Sequence, residues 1–210
     1  NYVDHIKELS NKKSGSPLIF MKPDSSLISK NHPFIIPSFS DNIHHEVELI
    51  VKINRLGKHI DEKFSHKYYE EIGLGIDFTA RDLQTDLRAK GHPWEKSKAF
   101  DNSCLVGGFL KKSQLNDVNN IDFELKKNNK VVQKGNSEKM IWKIDYLISY
   151  VSKYFTLKIG DLIFTGTPSG VGKVDSGDNL EGSISCLLYT SPSPRDQRGS
   201  GKPCCCLKKK

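Results

Sequence analysis

The chain has no long apolar run. Nothing in its 210 residues approaches the ~18 consecutive apolar residues of a membrane-spanning helix, and no secretory signal is visible. No membrane partner is therefore expected. Cysteine is scarce in the body of the chain. Cys186, Cys204, Cys205 and Cys206 lie from position 186 onward, and only Cys104 precedes them. One thiol cannot build an internal disulfide framework, which points to a reducing compartment, mitochondrial or cytoplasmic. A charge bias is missing too. The formal net charge is +7, but six basic residues and one acid from Cys186 onward carry +5 of it and leave +2 for the rest. That near balance gives no support to a nucleic-acid partner. A phosphate-binding P-loop is also absent. Anchoring the pattern on Gly172-Lys173 puts Thr167 where the first glycine belongs and Val174 where Ser or Thr belongs. The first residue is Asn1 and not Met, so the chain is expected to be a fragment, with any targeting segment upstream.

What is present fits one domain with a substantial core: 36% hydrophobic and 27% charged residues. Ile43 to Ile53 reads as a β-strand. Residues two apart share a strand face, so His44, Glu46 and Glu48 face one way and Val47, Leu49 and Val51 the other. Adjacent carboxylates repel, and burying them unpaired would cost several kcal/mol each. A hard divalent cation such as Mg²⁺, Mn²⁺ or Ca²⁺ removes the problem; the alternative is a solvated polar face. Asp77, ending a short apolar strand from Ile72, could complete a three-carboxylate set, or it could pair with Arg81, four residues on.

Other elements follow from spacing. Residues 3–9 read as a short helix placing His5 and Glu8 on one face, as a general base with its orienting acid or as a solvated pair. Leu18 to Pro23 reads as a short strand, and residues 54–71 contain a surface helix ending near Tyr68-Tyr69. Thr79 to Lys90 reads as a helix capped by Thr79 and closed by Gly91 and Pro93. Ile121 to Gly135 reads as a hairpin turning at Lys127-Asn-Asn-Lys130, and Met140 to Phe155 as a core-packed helix. Leu162 to Thr165 reads as a strand opening into the glycine-rich loop Gly166 to Gly172. Its backbone N–H groups could take an anion such as a substrate carboxylate, with the Thr167 hydroxyl as a further donor. Lys98 reads by default as a surface lysine. Residues 189–210 are aperiodic and rich in Pro, Ser and Cys, a disordered tail or translated foreign sequence; 1–188 are expected to form the domain.

Taken together, six stretches resemble the fumarylacetoacetate hydrolase family, and within it the short single-domain acylpyruvase and oxaloacetate-decarboxylase type. They are Asn1 to Glu8, Phe20-Met-Lys-Pro23, His44-His-Glu-Val-Glu-Leu49, Asp77 to Gln84, Gly91 to Phe100 and Gly160 to Gly172, in the family's order. The resemblance implies an α+β fold, mainly β, a roll of mixed sheets with peripheral helices, and a homodimer. It implies Glu46, Glu48 and Asp77 as ligands of Mg²⁺ or Mn²⁺ and His5 with Glu8 as the catalytic dyad. Lys98 is counted with that dyad, and Arg81, Gln84, Lys98 and Thr167 lie against the substrate or the metal's outer shell. A Gly-Arg pair before Asn-Tyr is missing, and the last family strands run into the tail. The implied activity is hydrolysis of acylpyruvates, decarboxylation of oxaloacetate, or both, on small 1,3-dicarbonyl acids. Keto–enol tautomerisation of oxaloacetate is an alternative on the same site, and a non-catalytic carboxylate-binding module is another. The presence of both His5 and Glu8 favours an enzyme.

Overall fold

The computed structural model describes residues 1–8, 14–29 and 32–184, and the backbone of 187–191. The stretch from Ile43 is organised as expected, but as two strands. β1 (Ile43–His45) and β2 (Val47–Ile53) are separated by Glu46, and they belong to different sheets. β2 is central in a sheet of four, flanked by β3 (Tyr69–Asp77) and β8 (Leu162–Phe164), with β5 (Cys104–Lys111) beyond β3. β1 is central in a sheet of three, between β4 (Thr79–Ala80) and β9 (Gly172–Lys173). A third sheet runs β11 (Leu187–Ser191), β10 (Leu180–Ile184), β6 (Asp122–Lys127), β7 (Lys130–Asn136). Ladder pairings between these strands are antiparallel.

Val47, Leu49, Val51 and Ile53 enter the main core with Ile72, Leu74, Phe123, Leu125 and Ile184. Glu48 and Ile50 alternate to the other side and are buried as well. The third sheet lies close over β3: a Cβ on Gly182 would sit 2.6 Å from Leu74 Cδ2 and would force that side chain to move. The hairpin turn is as expected. Asn128 and Asn129 both have positive φ, 52° and 65°, the conformation a two-residue hairpin turn requires and asparagine tolerates.

Among the described residues four helices sit around the sheets: α1 (Val3–Glu8), α2 (Arg81–Ala89), α3 (Glu95–Lys98) and α4 (Ile144–Tyr154). Several boundaries correct the sequence reading. Leu18 to Pro23 forms no strand, because Lys22 anchors it through its ammonium to Ser103 Oγ (2.8 Å) and to the Lys98 carbonyl. The surface helix within 54–71 is a 3₁₀ stretch, Glu62–Lys67, and Tyr69 already begins β3. Thr79 does not cap α2. It pairs in β4, and its hydroxyl accepts from Lys98 at 2.6 Å. The last helix starts at Ile144: Tyr2 bridges Met140, residues 141 and 142 bend, and Lys143 is extended before it. β11 reaches Ser191, three residues into the stretch assigned to the tail; residues 192–210 lie outside those described. Among the described residues no helix is long and apolar enough to cross a membrane.

Candidate active site

Both strands of the β2–β3 pair break at one level. Glu46 lies between β1 and β2, and Phe78 between β3 and β4. Asp77 N donates to the Glu46 carbonyl there at 2.8 Å. Glu46, Glu48 and Asp77 consequently converge, each offering an oxygen within 4.8 Å of the others, and all three are buried. Expected from Arg81 in the sequence, the partner of Asp77 is instead a pair of lysines: Lys22 at 2.8 Å on Oδ1 and Lys98 at 2.7 Å on Oδ2. Arg81 turns to Glu46. Lys98, 3% exposed and so no surface lysine, also reaches Glu46 Oε2 at 2.8 Å. Its ammonium thus bridges two of the three carboxylates.

The charges are unevenly compensated. Burial works against ionisation of Glu46, but Lys98 and Arg81 outweigh it and hold the carboxyl well below its usual range. Burial works against charge on Lys98 as well, and Asp77 and Glu46 more than restore it. Among the described residues Glu48 makes no ion pair; it accepts from the Gly166 N–H at 2.5 Å, and Lys98 and the Asn1 amine act on it only at longer range. Burial, then the charges of Asp77 and Glu46, push its carboxyl up to about 8. Hard oxygen donors, an ammonium already seated as a cation between two of them, and a third carboxylate outside any ion pair together suit a divalent metal ion.

α1 brings the second constellation. His5 Nδ1 and Glu8 Oε2 are 3.1 Å apart. Glu8 Oε1 accepts from Gly170 N at 2.9 Å. The helix is tied down at its start: Asn1 Nδ2 donates to the carbonyls of Trp142 and Thr165, each at 2.9 Å. Burial keeps the His5 ring below the usual histidine range, although Glu46 is near enough to oppose this. His5 is therefore neutral at pH 7, as a base must be, with Nε2 free of the Glu8 contact. The anions served by the glycine-rich loop are thus the protein's own Glu48 and Glu8.

Gln84 is buried and accepts from Arg81 Nη1. His44 Nδ1 accepts from Arg81 Nε at 3.4 Å, and its Nε2 donates to Asn42 Oδ1 at 3.0 Å. Arg81 so commits three of its five N–H donors and keeps two. The Thr167 hydroxyl is 3% exposed and engaged with protein, donating to the Val47 carbonyl at 2.8 Å and accepting from Gln133. Lys22, His44 and Gln133 have site contacts that spacing does not reveal. Their site partners lie 34 to 88 positions away, and only the fold brings them in.

A family model described as fumarylacetoacetate (FAA) hydrolase C-terminal matches residues 1–198. The chain is 41% identical over 184 residues to a mitochondrial oxaloacetate tautomerase of Rattus norvegicus, covering 88% of this chain and 83% of that one. It is 42% identical over 188 residues to a mitochondrial oxaloacetate decarboxylase of Dictyostelium discoideum, covering 89% and 86%. The crystal structure of fumarylpyruvate hydrolase from Pseudomonas aeruginosa in complex with Mn²⁺ and pyruvate superposes with a TM-score of 0.84 at 32% identity, covering 90% and 84%.

Proposed function

The chain belongs to the fumarylacetoacetate hydrolase family, and from that premise we propose that it is a metal-dependent enzyme acting on small 1,3-dicarbonyl acids, cleaving acylpyruvates, decarboxylating oxaloacetate, or both. The observation that carries this reading is the buried triad of Glu46, Glu48 and Asp77 beside the His5–Glu8 pair. Held by the three carboxylates, Mg²⁺ or Mn²⁺ would supply Lewis acidity to a 2-keto oxygen. The free N–H groups of Arg81 suit the substrate carboxylate, and its guanidinium plane is fixed by His44, Gln84 and Glu46. Lys98 helps to keep Glu46 ionised and holds Asp77 in an ion pair.

In acylpyruvate cleavage, His5 Nε2 takes a proton from water while Glu8 steadies Nδ1. The water oxygen bonds to the distal acyl carbon, and the carbon–carbon bond to the pyruvyl part breaks. Its electron pair leaves as the enolate of pyruvate, which regains a proton; the products are a carboxylate and pyruvate. Decarboxylation of oxaloacetate reaches the same enolate by loss of CO₂, without water. A second reading, keto–enol tautomerisation of oxaloacetate, needs only a proton moved between carbon and oxygen by the same histidine, and the similarity to the Rattus tautomerase favours keeping it.

Assays with oxaloacetate and several acylpyruvates test these readings together. Turnover should vanish on chelation and return with Mg²⁺ or Mn²⁺; full activity after dialysis into excess EDTA would defeat the metal assignment. We also propose a homodimer, supported by Leu18, Met21, Ile35 and Phe39, which are 65%, 63%, 62% and 51% exposed in the single chain. A monomeric mass by light scattering would rule it out. A reducing compartment, mitochondrial or cytoplasmic, suits the unpaired buried Cys104 and the two mitochondrial relatives.

A further inference from the structure

Val47, the residue between Glu46 and Glu48, lacks a strand neighbour on one side. β8 pairs with β2 only at Ile50, Val51 and Lys52, and β9 pairs with β1 only at His44 and His45. Leu49's carbonyl still accepts a backbone bond, from Thr165 N at 3.1 Å, beside one from Thr165 Oγ1 at 2.9 Å. Beyond it the edge is continued by side chains. At Val47 the N–H donates to Gln133 Oε1 at 3.1 Å, and the carbonyl accepts from Thr167 Oγ1 at 2.8 Å. Gln133 closes the set by donating from Nε2 to Thr167 Oγ1 at 2.8 Å and to the Pro168 carbonyl at 3.0 Å. Its Oε1 also takes a bond from His45 Nδ1 at 2.9 Å, which fixes that ring as the Nδ1–H tautomer. Two acceptor sites and two donors are the whole capacity of a glutamine amide, and Gln133, 1% exposed, uses all of them. It reaches this position from the middle of β7, in another sheet.

We propose that Gln133 is a positioning residue of the carboxylate centre. With Thr167 it stands in for the missing strand at Val47 and thereby sets the separation of Glu46 and Glu48. Side chains two apart on a strand can converge on one ion only if the peptide units between them are held; Gln133 holds the N–H of the residue in the middle and, through Thr167, its carbonyl. Partners of this kind, one step behind the ligands, are worth about 10–100-fold in metal affinity or activity. The inference rests on the metal reading proposed above.

The test is Mn²⁺ affinity, measured on the full chain without substrate by electron paramagnetic resonance of the free ion, well below each variant's Tm. Gln133→Met keeps the shape of the side chain and removes every hydrogen bond. It should weaken Mn²⁺ binding about 10–100-fold. Thr167→Val should weaken it in the same direction, and Thr167→Ser, which keeps the hydroxyl, should restore it. Wild-type affinity in Gln133→Met, with only a lower Tm, would overturn the inference and leave the metal reading standing. If that variant fails to fold, the Thr167 pair decides: wild-type affinity in Thr167→Val overturns the inference, and weakened binding rescued in Thr167→Ser supports it. Absence of Mn²⁺ binding by the wild-type chain would overturn both readings at once.

Discussion

His5→Ala should reduce acylpyruvate hydrolysis about 10²–10⁴-fold, the usual worth of a positioned acid–base group, and leave metal affinity unchanged. The separation follows from how α1 is held. Among the described residues the hydrogen bonds and the bridge that tie this segment to the rest of the chain come from Asn1, Tyr2 and Glu8, and none of the hydrogen bonds to Glu46, Glu48 or Asp77 comes from His5. Truncating the ring therefore removes the base without disturbing the carboxylates. Decarboxylation of oxaloacetate requires no attacking water and should suffer less from the same change. Stopped-flow rates for the two substrates, with calorimetric metal titrations, make the comparison. Equal losses for both reactions would mean that α1 contributes by covering the substrate. Loss of metal binding would mean that the two constellations are one.

Glu48→Gln should act in opposite directions on function and on stability. Metal affinity should fall by at least about 10²-fold, because a hard cation loses an anionic ligand from a small set. The metal-free protein should become more stable. In the unfolded chain this carboxyl ionises near 4.5; in the folded chain burial and its two acidic neighbours push it up to about 8. A raised carboxyl contributes its stability in full below the lower value and loses it as pH rises through the upper one. The advantage of glutamine should accordingly grow from pH 5 to pH 8 and level off above. For a chain of this length each kcal/mol appears as about 2–4 °C in Tm. Melting curves without metal at those two pH values are the measurement. A lower Tm for the variant at pH 8 would show that the glutamate is neutralised by some other means.

How much of this was legible in the sequence varies by element. The strand from Ile43 carries its β-branched run and its carboxylates openly, and the Asn128-Asn129 turn follows from which residues tolerate positive φ. Thr79 misleads because a threonine before a polar helix has the same local signature whether it caps the helix or pairs in a strand. The choice was made by His44, its partner across the ladder, 35 positions earlier. Lys98 misleads for a related reason. Its surroundings, Trp94-Glu-Lys-Ser-Lys, read as surface, and its burial is imposed by Asp77 and Glu46, which attract it inward. Gln133 carries no signal at all: alternation in a hairpin says which face it takes, not that a strand is missing opposite that face.

The aligned break at Glu46 and Phe78 has a mechanical side. The three-stranded and four-stranded sheets meet at that line, and no ladder bond between named strands crosses it apart from the Asp77 to Glu46 contact. Glu48 and Asp77 ride on one leaf, His44 and Thr79 on the other, and Glu46 sits on the joint itself. A change in the angle between the leaves alters the spacing of the three carboxylates before it breaks any strand pairing. The centre is thus a gauge of that angle. Side chains that brace the joint govern its chemistry even when they touch neither substrate nor ion.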